Sequence, residues 1–126
     1  MTKPNIIVDK SYRFGLRTVK LYIHLRKKKI ERELLLQFLR CGTSIGANVE
    51  EAEGGQSNKD FISKMSIAYK EARETNYWLR IFKDSELLET KLANSFITDA
   101  DELMKILSSI IKTSKENGES LRLKNS

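Results

Sequence analysis

Basic side chains recur at helical spacing near the start of the chain. They lie three or four residues apart at Lys10, Arg13, Arg17, Lys20, His24 and Lys27. On an α-helix this spacing places them on one face, in a row about 25 Å long at 1.5 Å per residue. Such a basic stripe could contact the phosphates of a nucleic acid, and Lys28 and Lys29 would extend it. The alternative is an ordinary solvated basic face. No row of exposed aromatic residues accompanies the stripe, so base stacking is not indicated.

Residues that could carry catalysis or hold a metal are scarce. His24 is the only histidine, which excludes the paired Glu-x-x-His motifs of di-metal helical bundles. Cys41 is the only cysteine and falls on an apolar row, where a thiol is usually a small buried hydrophobic group. There is no glycine-rich phosphate loop, and the Gly-x-Ser-x-Gly spacing of Gly42, Ser44 and Gly46 falls inside the predicted second helix, so it is not a strand-to-helix nucleophile elbow. The sequence therefore predicts a non-enzymatic protein with no cofactor and no metal site.

A polar row interrupts the apolar pattern in the second quarter of the chain. Its members are Arg40, Ser44, Asn48 and Glu51, which share one side of a helix. An antiparallel turn at Gly54-Gly55 would bring Arg40 level with Glu71. We therefore expect an ion pair from Arg40 to Glu71 or Glu74, within a structural polar network. A ligand site is the alternative interpretation.

Length and composition describe the scaffold for these residues. The chain has 126 residues, of which 40% are hydrophobic and 32% charged, and this composition fits one compact domain over residues 1–126. No stretch approaches the roughly 18 apolar residues of a membrane span, and the start has no secretory apolar segment, so we expect a cytoplasmic protein that does not contact membranes. The net charge of +6 arises mainly from residues 1–29, which carry nine Lys and Arg against Asp9.

The periodic segments predict an all-α, antiparallel up-down four-helix bundle. The expected helices span about 9–28, 31–53, 58–84 and 90–115, and residues 116–126 are expected to form a flexible tail. Asp9 is a candidate N-cap, and Ser57 with Asp60 has the spacing of a capping box. In the first helix the core side, away from the basic stripe, is assigned to Tyr12, Leu16, Val19 and Ile23.

The second and fourth helices carry more apolar residues than one bundle core requires. Each has two neighbouring apolar rows, which predicts a further buried face, most simply an interface between subunits. Gly42 and Gly46 would clear a strip of the second helix for the close approach of another backbone, at a cost of about 1 kcal/mol each relative to alanine. A thick core within a monomer is the alternative.

Several motifs resemble those of one protein family. They are Arg40 with Ser44-Ile45-Gly46-Ala47-Asn48-Val49 and Glu51, Asp60-Phe61-Ile62, Ile67-Ala68-Tyr69-Lys70-Glu71-Ala72-Arg73-Glu74, and Tyr77-Trp78-Leu79. Over residues 6 to 115 the chain resembles the proteins encoded by intervening sequences of 23S ribosomal RNA genes. One departure is Glu51-Ala52, where the family more often has Glu-Gly.

The resemblance implies a four-helix bundle that assembles as a homopentamer. The architecture is also similar to the accessory variability protein of diversity-generating retroelements, a basic pentamer that binds nucleic acid. Reverse-transcriptase binding does not carry over, because the two proteins differ too much. We therefore expect a homo-oligomer, most simply a pentamer, that binds RNA or DNA through Lys10, Arg13, Arg17, Lys20 and Lys27. The alternative is a protein-interaction scaffold with no nucleic-acid role.

Overall fold

Four α-helices account for most of the chain. The computed structural model describes residues 5–124, with α1 at Ile6–Leu25, α2 at Arg32–Glu53, α3 at Asn58–Asp84 and α4 at Thr90–Lys124. Each helix contacts the next along the chain, α4 also contacts α1, and the diagonal pairs do not touch within the described residues. Short connections of this kind make consecutive helices antiparallel. The predicted all-α, up-down four-helix bundle is confirmed.

The helix ends follow local capping signals, with three corrections: α1 begins three residues before and ends three residues before its predicted bounds, and α4 continues past its predicted end. Ser57 caps α3 by accepting a hydrogen bond from the Asp60 N–H at 3.1 Å, as the sequence predicts. The predicted cap of α1 is wrong, because α1 begins three residues earlier than expected. Asn5 is its N-cap and accepts from the Val8 N–H at 3.5 Å, while Asp9 lies in the first turn. A carboxylate there still interacts favourably with the helix dipole.

The fourth helix is longer than predicted. It continues to Lys124, so residues 116–124 of the expected flexible tail are helical, and residues 125–126 lie outside the described part. Packing explains the extension, because the start of α3 lies beside this end of α4. Asn58 Nδ2 donates to the Ser114 carbonyl at 3.1 Å, and a Cβ on Gly118 would lie 2.8 Å from the same nitrogen. Gly118 therefore permits a close contact here rather than ending the helix.

The core face of α1 is not the predicted one. The buried residues are Ile7, Ser11, Phe14, Thr18, Leu21 and Leu25. The residues assigned to the core are exposed instead: Tyr12 is 61%, Leu16 46%, Val19 38% and Ile23 40% accessible. Two buried hydroxyl residues explain the error. The Ser11 hydroxyl donates to the Val8 carbonyl at 3.3 Å and the Thr18 hydroxyl to the Phe14 carbonyl at 2.9 Å, so both can be buried at little cost.

The two glycines of α2 allow α1 to approach closely. A Cβ on Gly42 would lie 2.6 Å from Thr18 Cγ2, and one on Gly46 would lie 3.1 Å from the Ser11 carbonyl oxygen. The predicted close approach is therefore present. The approaching backbone, however, is α1 of the same chain, so the glycines give no support for a subunit interface.

The double apolar rows of α2 and α4 are also used inside the monomer. Most of their side chains belong to the core or pack against its edge. One phenylalanine from each helix forms the centre: Phe38 makes edge-to-face contacts with Phe82 at 5.6 Å and Phe96 at 6.4 Å, and Phe14 meets Phe96 at 6.0 Å between ring centroids. The surplus that the sequence attributes to subunit contacts is thus largely a thick core.

Candidate nucleic-acid interface

The first half of the basic stripe is paired within the bundle. Lys10 Nζ lies 3.0 Å from Glu102 Oε1 of α4. Arg13 Nε lies 3.1 Å from Asp9 Oδ2, one turn earlier on α1, and both side chains are well exposed. Arg17 pairs with Asp99 of α4. Three of the five residues predicted to bind phosphate therefore already have a carboxylate partner.

Arg17 also makes two further contacts with α4. Its Nη2 donates to Ser95 Oγ at 3.1 Å, and its guanidinium carbon lies 3.9 Å from the centroid of the Phe96 ring. A cation over an aromatic face is attracted by the ring quadrupole. Helix α1 contacts α4 far less extensively than it contacts α2. Arg17 therefore joins α1 to α4 where the packing between these two helices is limited.

The second half of the stripe is unpaired. Lys20 on α1 and Lys27, Lys28 and Lys29 in the following turn are exposed, and none has an ionic partner within residues 5–124. We call these four residues the basic end of α1. His24 is also exposed on this face. Cations are favourable at the C-terminus of a helix, where the backbone carbonyls lack partners.

The predicted ion pair of Arg40 is absent. Arg40 is exposed and has no ionic partner in the described part of the chain. The register differs from the predicted one, because Lys64 Nζ lies 3.5 Å from Glu51 Oε2. Since α2 and α3 are antiparallel, that pair places Arg40 level with residue 75, one turn beyond Glu71 but next to Glu74. The register therefore accounts for the missing pair with Glu71 and not for the missing pair with Glu74.

The rest of the predicted polar row is satisfied within α2. Ser44 Oγ donates to the Arg40 carbonyl at 2.6 Å, and Asn48 Nδ2 donates to the Ser44 carbonyl at 2.8 Å. Both bonds go one turn back to the same helix. The row therefore does not form a network between helices, apart from the contact of Glu51 with α3.

Glu71 and Glu74 lie together on the side of α3 that meets α2. Burial and the neighbouring Glu74 carboxylate raise the pKa of Glu71. Trp78 Nε1 donates to Glu74 Oε2 at 3.3 Å. Burial raises the pKa of the Cys41 thiol to about 11, with the Thr75 hydrogen bond acting in the opposite direction. Cys41 is thus a protonated core residue at neutral pH, as expected, and not a nucleophile.

An apolar surface lies on the outer side of α1. The apolar stripe of α1, formed by Tyr12, Leu16, Val19 and Ile23, is the exposed set wrongly assigned to the core. Next to it, Gly15, Gly46 and Ala47 help to line a shallow cavity of about 290 Å³ between α1 and α2. Ile67, Tyr77 and Ile81 form a second exposed apolar set, on the diagonally opposite helix α3.

The described residues contain neither a metal-binding cluster nor a membrane-spanning helix. No group of three or more His, Cys, Asp or Glu side chains is placed to hold a metal ion in residues 5–124. In the same region no helix is both long and apolar enough to cross a bilayer.

Comparison with known proteins assigns the chain to a family. The profile described as "23S rRNA-intervening sequence protein" matches residues 3–109. The chain belongs to this family. The family carries no enzymatic assignment and its function is unknown. No curated protein matches the chain significantly.

A solved structure supports the assignment of the chain to the 23S rRNA-intervening sequence protein family. It is a protein of unknown function from the S23 ribosomal protein family of Bacteroides thetaiotaomicron, which is 46% identical and superposes with a TM-score of 0.82. The match covers 84% of this chain and 98% of the other. The bundle is therefore shared along nearly the whole length of that relative.

One basic surface was missed by the sequence reasoning. Lys70 and Arg73 of α3 line one shallow depression, and Lys105 and Lys112 of α4 line an adjoining one. The sequence signal was their spacing. Lys70 and Arg73 are three residues apart, and Lys105 and Lys112 are seven apart, so each pair shares one helix face. It was hidden because residues 59–126 as a whole carry twelve bases and eleven acids.

Proposed function

We propose that this protein is a non-enzymatic, self-associating helical bundle that binds RNA or DNA through phosphate contacts. The observation that carries the nucleic-acid part is the basic end of α1. Its four lysines are exposed without an ionic partner in the described residues, whereas Lys10, Arg13 and Arg17 are already paired. Unpaired lysines can release phosphate counterions on binding without first breaking a salt bridge. We therefore assign phosphate contact chiefly to Lys20 and Lys27 to Lys29.

A salt titration of binding tests this proposal. A labelled hairpin of ribosomal RNA and a DNA duplex of similar length are the probes, read by fluorescence anisotropy. We expect binding that weakens steeply with salt and depends little on sequence. The double variant Lys20→Ala/Lys27→Ala should reduce the salt slope by about 1.4 to 1.8, because roughly 0.7 to 0.9 counterions are released per phosphate contact. No binding at low salt would refute the proposal.

The competing function is a protein-interaction scaffold. It is favoured by the internal pairing of Lys10, Arg13 and Arg17, which leaves less of the stripe available to an anion. An unchanged salt slope in Lys20→Ala/Lys27→Ala would support this alternative for the α1 face.

Self-association is supported by the exposed apolar surfaces. The apolar stripe of α1 is about 17 Å long from Tyr12 to Ile23, and the α3 set is about 21 Å long from Ile67 to Ile81, at 1.5 Å per residue. The two surfaces differ and lie on diagonal helices, so the α1 stripe of one copy can pack on the α3 set of the next. A head-to-tail contact of this kind closes into a ring when the rotation permits. The pentamer implied by the family resemblance is such a ring.

Solution mass tests the association. We expect light scattering to give a multiple of 14.5 kDa, most simply five copies. Leu16→Glu places a charge in the α1 stripe and should shift the protein toward monomer. Ile6→Glu is the matched control, because Ile6 is similarly exposed but lies outside the stripe. A monomeric wild-type protein would refute self-association.

A further inference from the structure

Two bases of α3 lie next to α4. Lys70 and Arg73 line a depression shared with Ser108 and Ile111 of α4. Glu71 and Glu74 lie nearer α2, where both act on the pKa of Cys41. Glu74 is also one helical turn from Lys70, so the two kinds of charge overlap on the solvent side of α3.

The α4 side of this depression is also basic. A second depression, of about 530 Å³, is lined by Lys105 and Lys112 and adjoins the first, of about 350 Å³, because Tyr69 and Ser108 line both. We call the joined surface the α3–α4 groove. Lys70, Arg73, Lys105 and Lys112 are all exposed, and none has a carboxylate partner in the described part of the chain.

Asp101 is the carboxylate among the residues that line the groove. It lies at one end and already accepts a hydrogen bond. Asp101 Oδ1 accepts from Asn76 Nδ2 at 2.8 Å, and Asn76 Oδ1 accepts from Arg80 Nε at 2.8 Å. Asn76 thereby links Arg80 to Asp101. The four cations farther along the groove form no ion pair within the described residues, although Lys70 and Lys105 each lie one helical turn from a carboxylate, Glu74 and Asp101.

The spacing of the cations suits a repeating anion. The contacts of Asn76 with Asp101 and of Asn58 with Ser114 fix the antiparallel register, which brings Arg73 close to the level of Lys105. Lys105 and Lys112 are two helical turns apart, about 10.5 Å. Two cations this far apart can contact different phosphates of one strand, because a duplex carries a phosphate about every 3.4 Å of its axis on each strand. Ser108 and Tyr69 lie between the cations and add hydroxyl groups that can donate to phosphate oxygens.

We propose that the α3–α4 groove is a second binding surface for a phosphodiester backbone, separate from the basic end of α1. This inference rests on the proposed nucleic-acid function and deepens it, since one bundle would then contact the polymer at two places. A polymer that reaches both surfaces gains affinity through effective concentration.

Matched lysine variants test the groove. Lys105→Ala/Lys112→Ala removes two exposed cations from it, and Arg40→Ala/Lys91→Ala removes two exposed cations that lie outside it and have no ionic partner in residues 5–124. Binding of the rRNA hairpin and of single-stranded DNA of equal length is measured from low to moderate salt. We expect the groove variant to lose about tenfold in affinity at low salt and about 1.4 in salt slope, and the control to change little. The ratio of the affinities for the two probes shows whether the groove prefers an RNA or a DNA backbone.

Lysine acetylation provides a readout that needs no variant. Bound rRNA hairpin should protect Lys105 and Lys112 from modification in the wild-type protein, while Lys91, an exposed lysine near the start of α4, stays reactive. Wild-type binding with no protection at these lysines, and equal affinity in the groove variant, would overturn the inference while the proposed function stands. Complete competition by polyglutamate at equal charge would also overturn it, because the groove would then fit acidic protein. Failure of the wild-type protein to bind either probe would refute the proposed function itself.

Discussion

Replacement of Arg17 by alanine should destabilise the bundle and not merely weaken nucleic-acid binding. Arg17 is a member of the predicted phosphate-binding stripe, yet its guanidinium is held by Asp99, Ser95 and the Phe96 ring of α4. Its side chain is 34% exposed and that of Asp99 is 44% exposed. The substitution removes all three contacts at once from the thinnest seam between neighbouring helices.

The magnitude follows from these contacts. Hydrogen bonds to charged groups contribute about 1.5 to 3 kcal/mol when sheltered, and the low end applies here because both charged partners remain partly solvated. The cation over the Phe96 ring adds about 0.5 to 1 kcal/mol. The expected loss is therefore about 2 kcal/mol. For a domain of this size, 1 kcal/mol lowers Tm by roughly 3 to 5 °C, so Arg17→Ala should melt about 6 to 10 °C below the wild type.

Urea unfolding followed by circular dichroism, at fixed protein concentration, measures the effect. Lys20→Ala is the matched control on the same stripe, and it should stay within about 0.5 kcal/mol of the wild type. A double-mutant cycle with Asp99→Ala should give a coupling of about 1 kcal/mol. If Arg17→Ala leaves the stability unchanged, the contacts of Arg17 with α4 do not stabilise the bundle. Arg17 would then be free to bind phosphate, as the sequence predicts.

Two further substitutions test the packing and the electrostatics. Gly42→Ala should cost about 1 to 3 kcal/mol, because its new Cβ would lie 2.6 Å from Thr18 Cγ2, and thermal unfolding should show partial recovery when Thr18→Ala is added. No loss in the single variant would contradict the close approach of α1 and α2. Glu71→Gln should raise Tm at pH 7, since the raised pKa of Glu71 means that its ionised form opposes folding. As the pH falls through the folded-state pKa, Glu71 becomes protonated and the wild-type protein becomes more stable. The difference in Tm between Glu71→Gln and the wild type should therefore vanish in acid. An equal gain from Glu119→Gln, on the exposed end of α4, would indicate a general effect of net charge instead.

The helix boundaries show which parts of the fold are encoded locally. The predicted span of α3 is correct at both ends, because Ser57 caps its start and the polar Ser85 and Glu86 follow its last turn. The start of α1 and the end of α4 were missed because they depend on Asn5 as a cap and on the contact of α4 with Asn58. The latter contact joins residues distant in sequence and leaves no local pattern.

The face of a helix was harder to predict than its existence. In α1 the more hydrophobic row is exposed, while the buried row contains Ser11 and Thr18. A pattern based on hydrophobicity alone ranks those hydroxyl residues as surface. It cannot register that Gly42 and Gly46 of another helix create a space that only small side chains on α1 can fill. The core position of Thr18 is therefore a property of the helix pair and not of either segment.

The same limit applies to the charges that concern function. Residues 1–29 sum to +8, which correctly marks a basic region but gives no indication that Lys10 and Arg17 pair with α4. Residues 59–89 sum to zero, with six bases and six acids, yet Lys70 and Arg73 line a depression next to α4, whereas Glu71 and Glu74 lie close enough to α2 to act on Cys41. A segmental sum averages over all faces of a helix, whereas an anion meets only one face. For this reason a basic surface can arise from a segment with no net charge, and the partner of each carboxylate must be known before a basic region is assigned to a ligand.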